Sequence, residues 1–428
     1  MGTLLLISFV GLLMIGIPIA FVLCGATAIA MWFASTLPMT LITQQMFIAC
    51  DSFPLLAIPL FMIAGSLMGE GGISRRLVKL ADTMVGHHTA GLAYVSILTC
   101  MFFAAISGSG PATVAAIGGI MIPGMVAAGY DKGFAAALMS VAGAIGIIIP
   151  PSIPLVTYSV VSDNSAGTLF TAGFGPGILV GLSLMVCSYI VCKKKGFGVS
   201  RKQRASAKEC WDAFKSAFWA LLMPVIILGG IYGGIFTPTE AAAVAVIYGF
   251  IVGKFIYKEL PLKKIKTVLV DSGVTTAMIM LIIATAKGFA WILTAERIPD
   301  AVANFMLSIS SEKIVILLLI NVLLLIVGCF MECNAALIIL TPIFLPIVVS
   351  LGVNPIHFGI IMVVNLAIGQ STPPLGVNLF VSCGISNITI ERISKSVVPL
   401  LITNVIALLV ITYFEPISLA LCRLFGMI

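Results

Sequence analysis

Two short polar clusters interrupt an otherwise apolar chain, and each is followed downstream by a pair of adjacent prolines. The first is Ser107-Gly108-Ser109-Gly110-Pro111, with Pro150-Pro151 after it; the second is Met331-Glu332-Cys333-Asn334-Ala335, with Pro373-Pro374 after it. An offset of 223 residues carries Pro123 onto Pro346, Gly129 onto Gly352, Gly146 onto Gly369 and one Pro-Pro pair onto the other. Ala112/Ala335, Ile120/Ile343, Ala144/Ala367 and Ser159/Ser382 agree in the same register. One unit is therefore carried twice. Paired interruptions in two membrane-buried halves mark a binding site built from broken helices.

A break in a helix exposes chemistry. Carbonyls at the end of the first arm lose their partners and carry the negative end of the dipole, while N–H groups at the start of the second carry the positive end. In the first cluster Ser107 and Ser109 add hydroxyl oxygens, and Ser109 caps the second arm with Pro111 just inside it. In the second cluster Asn334 is read as the corresponding cap. Each Pro-Pro enforces a break because proline removes a donor and obstructs the preceding turn. This frees carbonyls from Gly146 to Ile149 and from Gly369 to Thr372, and Thr372 adds a hydroxyl. Neutral oxygens suit a hard monovalent cation, whereas proton coupling would call for buried carboxylates or histidines. The expected ion is Na+, with no transition metal. Its site is assigned to Ser107, Gly108, Ser109, Gly146, Ile149 and Pro150 in the first unit. In the second it is assigned to Met331, Glu332, Cys333, Gly369, Thr372 and Pro373. Glu332 either lines that site or pairs with Lys287. Asp51 and Asp163 read as capping or solvated residues near span ends. Thr237-Pro238-Thr239-Glu240 has the form of a structural capping box.

The elements that hold these residues follow from composition. The chain is 60% hydrophobic and 9% charged, with mean hydropathy +1.20, which excludes an ordinary soluble domain. Apolar runs of about 20 residues recur throughout, as spanning helices require. The first begins at Met1 without a basic leader and reads as a retained membrane segment. The net charge of +7 lies in short basic loops and signals orientation, not nucleic acid. Arg75, Arg76 and Lys79, then Lys193 to Arg204 including Lys202, then Lys258 to Lys266, then Arg392 and Lys395 mark the cytoplasmic side. The ten cysteines show no metal-ligand spacing.

These signals predict an all-α polytopic membrane protein with two inverted-topology repeats, each holding a re-entrant helical hairpin and a broken helix. The first half is 1–192: scaffold helices 1–70, an amphipathic arm 73–86, a hairpin 91–128, a broken helix 131–164 and a span 167–192. A cytoplasmic linker, 193–215, follows. The second half is 216–428: scaffold spans 216–257 and 267–295, an arm 297–310, a hairpin 313–350, a broken helix 355–388 and a span 396–414. Antisymmetry suggests that Met1 to Ser35 crosses twice, breaking near Gly16-Ile17-Pro18.

The strings SFPLLAIPLFMIAGSLM (from Ser52), GGISRRLVKLA, AISGSGPATVAAIG, IPGMVAAGY, IIIPPSIPLVTYS, GTLFTAGFGPG, GGIYGGIFTPTEAAAVAV and GQSTPPLGVNLFV resemble the large membrane subunit of TRAP transporters, the tripartite ATP-independent periplasmic family. The resemblance covers nearly the whole length in order. It implies a sodium-coupled importer of organic anions in a bacterial inner membrane, working by an elevator movement. It also implies two partners, a small four-helix membrane subunit and a periplasmic substrate-binding protein. Among family members the sialic-acid type is the first expectation and C4-dicarboxylate transport the second. The anion would sit by Ser109, Gly110, Pro151, Ser152, Thr157, Asn334, Pro374, Gly376 and Asn378, close to the helix N-termini. Two alternatives stand beside this reading. One is a stand-alone sodium/carboxylate carrier without a binding protein. The other is an intramembrane serine protease, since Gly108-Ser109-Gly110 resembles the serine loop of rhomboid enzymes; it would need a histidine beside Ser109, and His357 is the membrane-embedded candidate.

Overall fold

A computed structural model describes residues 1–34, 38–197, 201, 203–310 and 312–428; the expectations resting on Ser35 and Lys202 lie outside these residues. Every described element is helical. In order they are α1 (Gly2–Met14), α2 (Ile19–Ala34), α3 (Thr40–Cys50), α4 (Ala57–Glu70), α5 (Ile73–Val85), α6 (Gly91–Ser107), α7 (Gly110–Ala127), α8 (Lys132–Gly143), α9 (Ile153–Ser162), α10 (Ala166–Lys195), α11 (Ala207–Tyr232), α12 (Pro238–Ile251), α13 (Leu262–Ala295), α14 (Ile298–Ile309), α15 (Lys313–Phe330), α16 (Cys333–Ser350), α17 (Pro355–Gly369), α18 (Val377–Ser386), α19 (Ile390–Tyr413) and α20 (Pro416–Leu424). Nine helices among the described residues are long and apolar enough to cross a membrane.

Local chemistry explains most boundaries. Ser109 Oγ accepts from Ala112 N–H at the start of α7, and Pro111 occupies its first turn. Thr237 and Glu240 form a reciprocal capping box at the start of α12, as do Ser206 and Glu209 at α11. α1 and α2 part at Gly16, whose φ is +83°. At 13 and 16 residues, both are short of the roughly 20 residues a span needs. The helices flanking the central linker run further into it than polarity suggested. Lys193, Lys194 and Lys195 form the last turn of α10, where cations favour the helix dipole, and α11 begins at Ala207. α13 and α19 likewise start earlier than expected, at Leu262 and Ile390, and α20 was not foreseen.

Hairpin arms α6 and α7 meet at a two-residue turn, and α15 and α16 at another. α7 packs on α8 and α18, α16 packs on α9, and α15 packs on α17, so each hairpin is bedded on the broken helices. α5 lies before the first hairpin with Ile73, Leu77, Leu80 and Ala81 buried and Arg75 and Lys79 exposed. Its near end is fixed by Arg76, paired with Glu259 at 2.8 Å and stacked over Tyr257. Its far end meets the linker through Arg201 and Asp82 at 3.0 Å.

Candidate functional site

The first hairpin tip rests directly on the first break. Gly108 adopts φ +60°, and a Cβ there would lie 2.8 Å from Pro151 O, so the backbones can meet only at glycine. Gly108 O accepts from Ile153 N–H at 3.3 Å. At Gly146 an added Cβ would run into Thr113 Oγ1 and lie 2.6 Å from Ser109 O. Three oxygens converge here. Thr113 Oγ1 donates to Ser109 O at 2.8 Å and shares a hydrogen bond with Ser107 Oγ at 2.9 Å. Thr113 went unnoticed in the sequence, although it sits one helical turn after Ser109 on the same face.

The other side of this tip faces the second break. A Cβ on Gly110 would lie 3.0 Å from Gln370 Oε1 and 3.3 Å from Asn378 Oδ1. Both of those oxygens are buried without a partner among the described residues. Asn378 Nδ2 donates to Ser140 O at 3.4 Å, and Ser371 Oγ donates to the same carbonyl at 2.9 Å. These bonds tie the second break to α8.

The second tip is built differently. Glu332, not Asn334, caps α16: its Oε2 accepts from Ala335 N–H at 3.1 Å. The 223-residue offset carries Ser109 onto Glu332 and Ala112 onto Ala335, so the register itself identified the cap. Asn334 instead bridges. Its Nδ2 donates to Glu332 Oε1 at 2.8 Å, and its Oδ1 accepts from Thr157 Oγ1 at 2.9 Å. No ion pair joins Glu332 to Lys287 among the described residues. Met331 closes α15 in extended conformation, and Cys333 is buried.

At the breaks, several carbonyls expected to be free have partners. Ile147 O accepts from Ser152 Oγ at 2.6 Å, which lets Ser152 also cap α9. Gly369 O accepts from Thr372 N–H at 2.9 Å and Thr372 O from Gly376 N–H at 3.2 Å. Thr372 Oγ1 donates to Ile368 O at 2.8 Å and keeps its lone pairs. Both Pro-Pro bonds, Pro150-Pro151 and Pro373-Pro374, are cis. Ile149, Ser152 and Thr157 are buried in the packing behind the first tip, whereas Pro374 is exposed. Gly369 packs on the backbone of Gly328, where a Cβ would come within 2.6 Å.

Two cavities flank this assembly at opposite ends of α13. One, of about 890 Å³, lies between α4, α7 and the first turns of α13 and reaches Ala112 beside the first tip. Its far end carries the Lys264–Glu70 pair at 2.6 Å, at the basic end of the helix. The other, of about 510 Å³, lies between α3, α9, α16 and the last turns of α13. On α16 it is lined by Ile338 and Pro342 and stops short of the second tip.

The protease alternative finds no support in this geometry. His357 Nε2 meets Thr412 O at 3.2 Å, and the partners of Ser109 are Ala112, Thr113 and Ser107.

Comparison with known proteins agrees with the architecture. A solved structure titled as the YdaH transporter of Alcanivorax borkumensis, with an unusual topology, superposes with TM-score 0.65 over 94% of this chain and 98% of that one, at 16% identity. The chain is 52% identical over 407 residues to the isethionate TRAP transporter permease protein DctMQ of Oleidesulfovibrio alaskensis, covering 95% of this chain and 64% of the relative. It is 46% identical over 383 residues to the C4-dicarboxylate TRAP transporter large permease protein DctM of Pseudomonas aeruginosa, covering 90% and 89%. With the sialic acid TRAP transporter large permease protein SiaM of Vibrio cholerae it shares 39% over 418 residues, covering 98% and 97%. Residues 6–417 match the family described as the tripartite ATP-independent periplasmic transporter, DctM component. The chain belongs to this family: it is a large permease of the TRAP type, a multi-pass protein of the bacterial inner membrane and not an enzyme.

Proposed function

We propose that this permease imports a small organic anion together with Na+, as the membrane engine of a tripartite system with a small membrane subunit and a periplasmic binding protein. The observation that carries the reading is the convergence at the first tip. Ser107 Oγ, Ser109 O and Thr113 Oγ1 gather against Gly146, with the unpartnered Gln370 Oε1 and Asn378 Oδ1 on the other side. Uncharged oxygens of this kind suit Na+ better than a proton. At the second tip Glu332 adds carboxyl oxygens, which accept from Asn334 Nδ2 and Ala335 N–H. Helix N-termini after Ser109, Ser152 and Glu332 supply positive potential for the anion's oxygens. Anion and cation would then cross together, each lowering the cost of the other.

For the substrate, a C4-dicarboxylate or a small sulfonate such as isethionate ranks above sialic acid. An isethionate relative shares 52% and C4-dicarboxylate relatives 39–46% of residues with this chain, against 35–39% for sialic-acid relatives. This reverses the order expected from the sequence strings. Movement follows the elevator scheme, with 91–165 and 313–390 travelling as a unit past the scaffold on arms α5 and α14. In this scheme the cavity that reaches Ala112 near the basic end of α13 would serve as the inward path.

The test is uptake into proteoliposomes, with the candidate small subunit and binding protein added in turn. An inward sodium gradient should drive uptake and a proton gradient alone should not. Uptake without sodium would overturn the coupling, and full uptake without the two partners would favour the stand-alone carrier. Labelling of Cys333, after replacement of the other cysteines, should change sides with sodium and substrate; labelling from one side under every condition would overturn the elevator.

A further inference from the structure

Lys287 stands on membrane-spanning α13, eight residues before its end at Ala295, or about 12 Å along the helix axis at 1.5 Å per residue. A charge within an apolar spanning helix is costly unless it faces a partner or a wet cavity. Lys287 lines the 510 Å³ cavity and joins no ion pair among the described residues. Spacing along α13 puts Ile283, Lys287, Trp291 and Thr294 on this one wall. Opposite them, Gln45 and Ser52 contribute polar groups, and no carboxylate lines the cavity. The cavity at the other end of α13 differs in kind: Glu70, Glu259 and Asp271 line it beside Arg75 and Lys264, with Lys264 paired to Glu70 and Arg76 to Glu259. One helix therefore presents an uncompensated cation in the cavity near Ala295 and charge-paired groups in the cavity at its other end.

We propose that the Lys287 cavity is a receiving site for an oxyanion at the outer face. A carboxylate or sulfonate pairs with Lys287 Nζ, takes hydrogen bonds from Gln45 and Ser52, and lies against Trp291 before the tips take it over. This rests on the anion-import reading above. A phospholipid headgroup offers the same oxyanion chemistry, so the test must separate the two sources.

Trp291 is a reporter within the cavity. With Trp32, Trp211 and Trp219 replaced by Phe, the protein is placed in phosphatidylcholine nanodiscs and quenched with iodide at constant ionic strength, and separately with neutral acrylamide. Because a cationic pocket concentrates anions, Lys287→Gln should lower iodide quenching by about two-fold or more and leave acrylamide quenching as it was. Lys287→Arg should restore it. Succinate or isethionate should protect Trp291 from iodide in the parent but not in Lys287→Gln. Equal iodide quenching in parent and Lys287→Gln overturns the proposal, as does failure of both anions to protect. If discs containing phosphatidylglycerol abolish iodide quenching and anion protection together, the occupant is a lipid headgroup and the proposal is overturned in that form. Sodium-driven uptake by the parent tests the import reading separately. Absent uptake with intact Lys287-dependent quenching would count against import, and normal uptake with Lys287-independent quenching against the site.

Discussion

The two hairpin tips occupy matching places in the sequence and are held by different means. At the first, backbone meets backbone: Gly108 lies on Pro151, Gly146 on Ser109, and hydroxyls fill the remaining positions. At the second, side chains bridge the gap. Glu332 caps α16 and holds Asn334, which accepts from Thr157 on α9. A duplicated frame thus fixes where a tip must be, not how it is secured. The first should be intolerant of added atoms, and the second of lost ones.

The largest effect should come from Glu332→Ala. It removes the cap and leaves Ala335 N–H and Asn334 Nδ2 without their acceptor, a combined cost of about 3 kcal/mol. Purified protein should melt several degrees lower, and uptake should fall to background. A melting temperature equal to that of Ser109→Ala would erase the distinction between the tips.

Gly146→Ala should come next. Its Cβ collides with Thr113 Oγ1 and Ser109 O, and overpacking of this kind costs about 2 kcal/mol. Adding Thr113→Ala, which removes the hydroxyl that the new Cβ meets, should recover part of the loss. No recovery would show that the backbone of Ser109, not Thr113, sets the limit.

Thr157→Val removes the donor to Asn334 while keeping shape, at about 1–2 kcal/mol. Combined with Asn334→Ala, the losses should be less than additive, because both break one bond. Full additivity in a thermal-unfolding cycle would mean the bridge is not the unit described.

Ser109→Ala should be the mildest. Loss of the α7 cap costs about 1 kcal/mol, read as a rise of roughly five-fold in the sodium concentration for half-maximal uptake if the cap and the ion share the tip. An unchanged sodium dependence would move the ion towards Gln370 and Asn378.

Much of this was written locally. Ser109 as a cap, the Thr237–Glu240 box and the interruptions at both Pro-Pro pairs needed only the chemistry of three or four neighbouring residues. The misassigned cap is instructive. Asn334 has the better residue type, yet the 223-residue register pointed to Glu332, and backbone position outranked side-chain preference. The supposed open carbonyls at Ile147, Gly369 and Thr372 were misread because a break only frees a group from its helix. Whether another donor finds it depends on the turn that follows, here Ser152 Oγ and the N–H groups of Thr372 and Gly376.

The sequence by itself determined the membrane class, the family, the doubled frame and the positions of the breaks. Hydropathy, missing proline donors and absent Cβ atoms act within a turn or two of where they are written. Tertiary structure alone decided which tip meets which break, because those contacts join residues far apart in the chain: Thr157 with Asn334, separated by 177 positions, and Ser371 with Ser140, by 231. It alone also put Lys287 into a cavity. No periodicity records such meetings, since a hydrogen bond between distant helices depends on their packing angle and depth, and those are set by every other contact in the bundle.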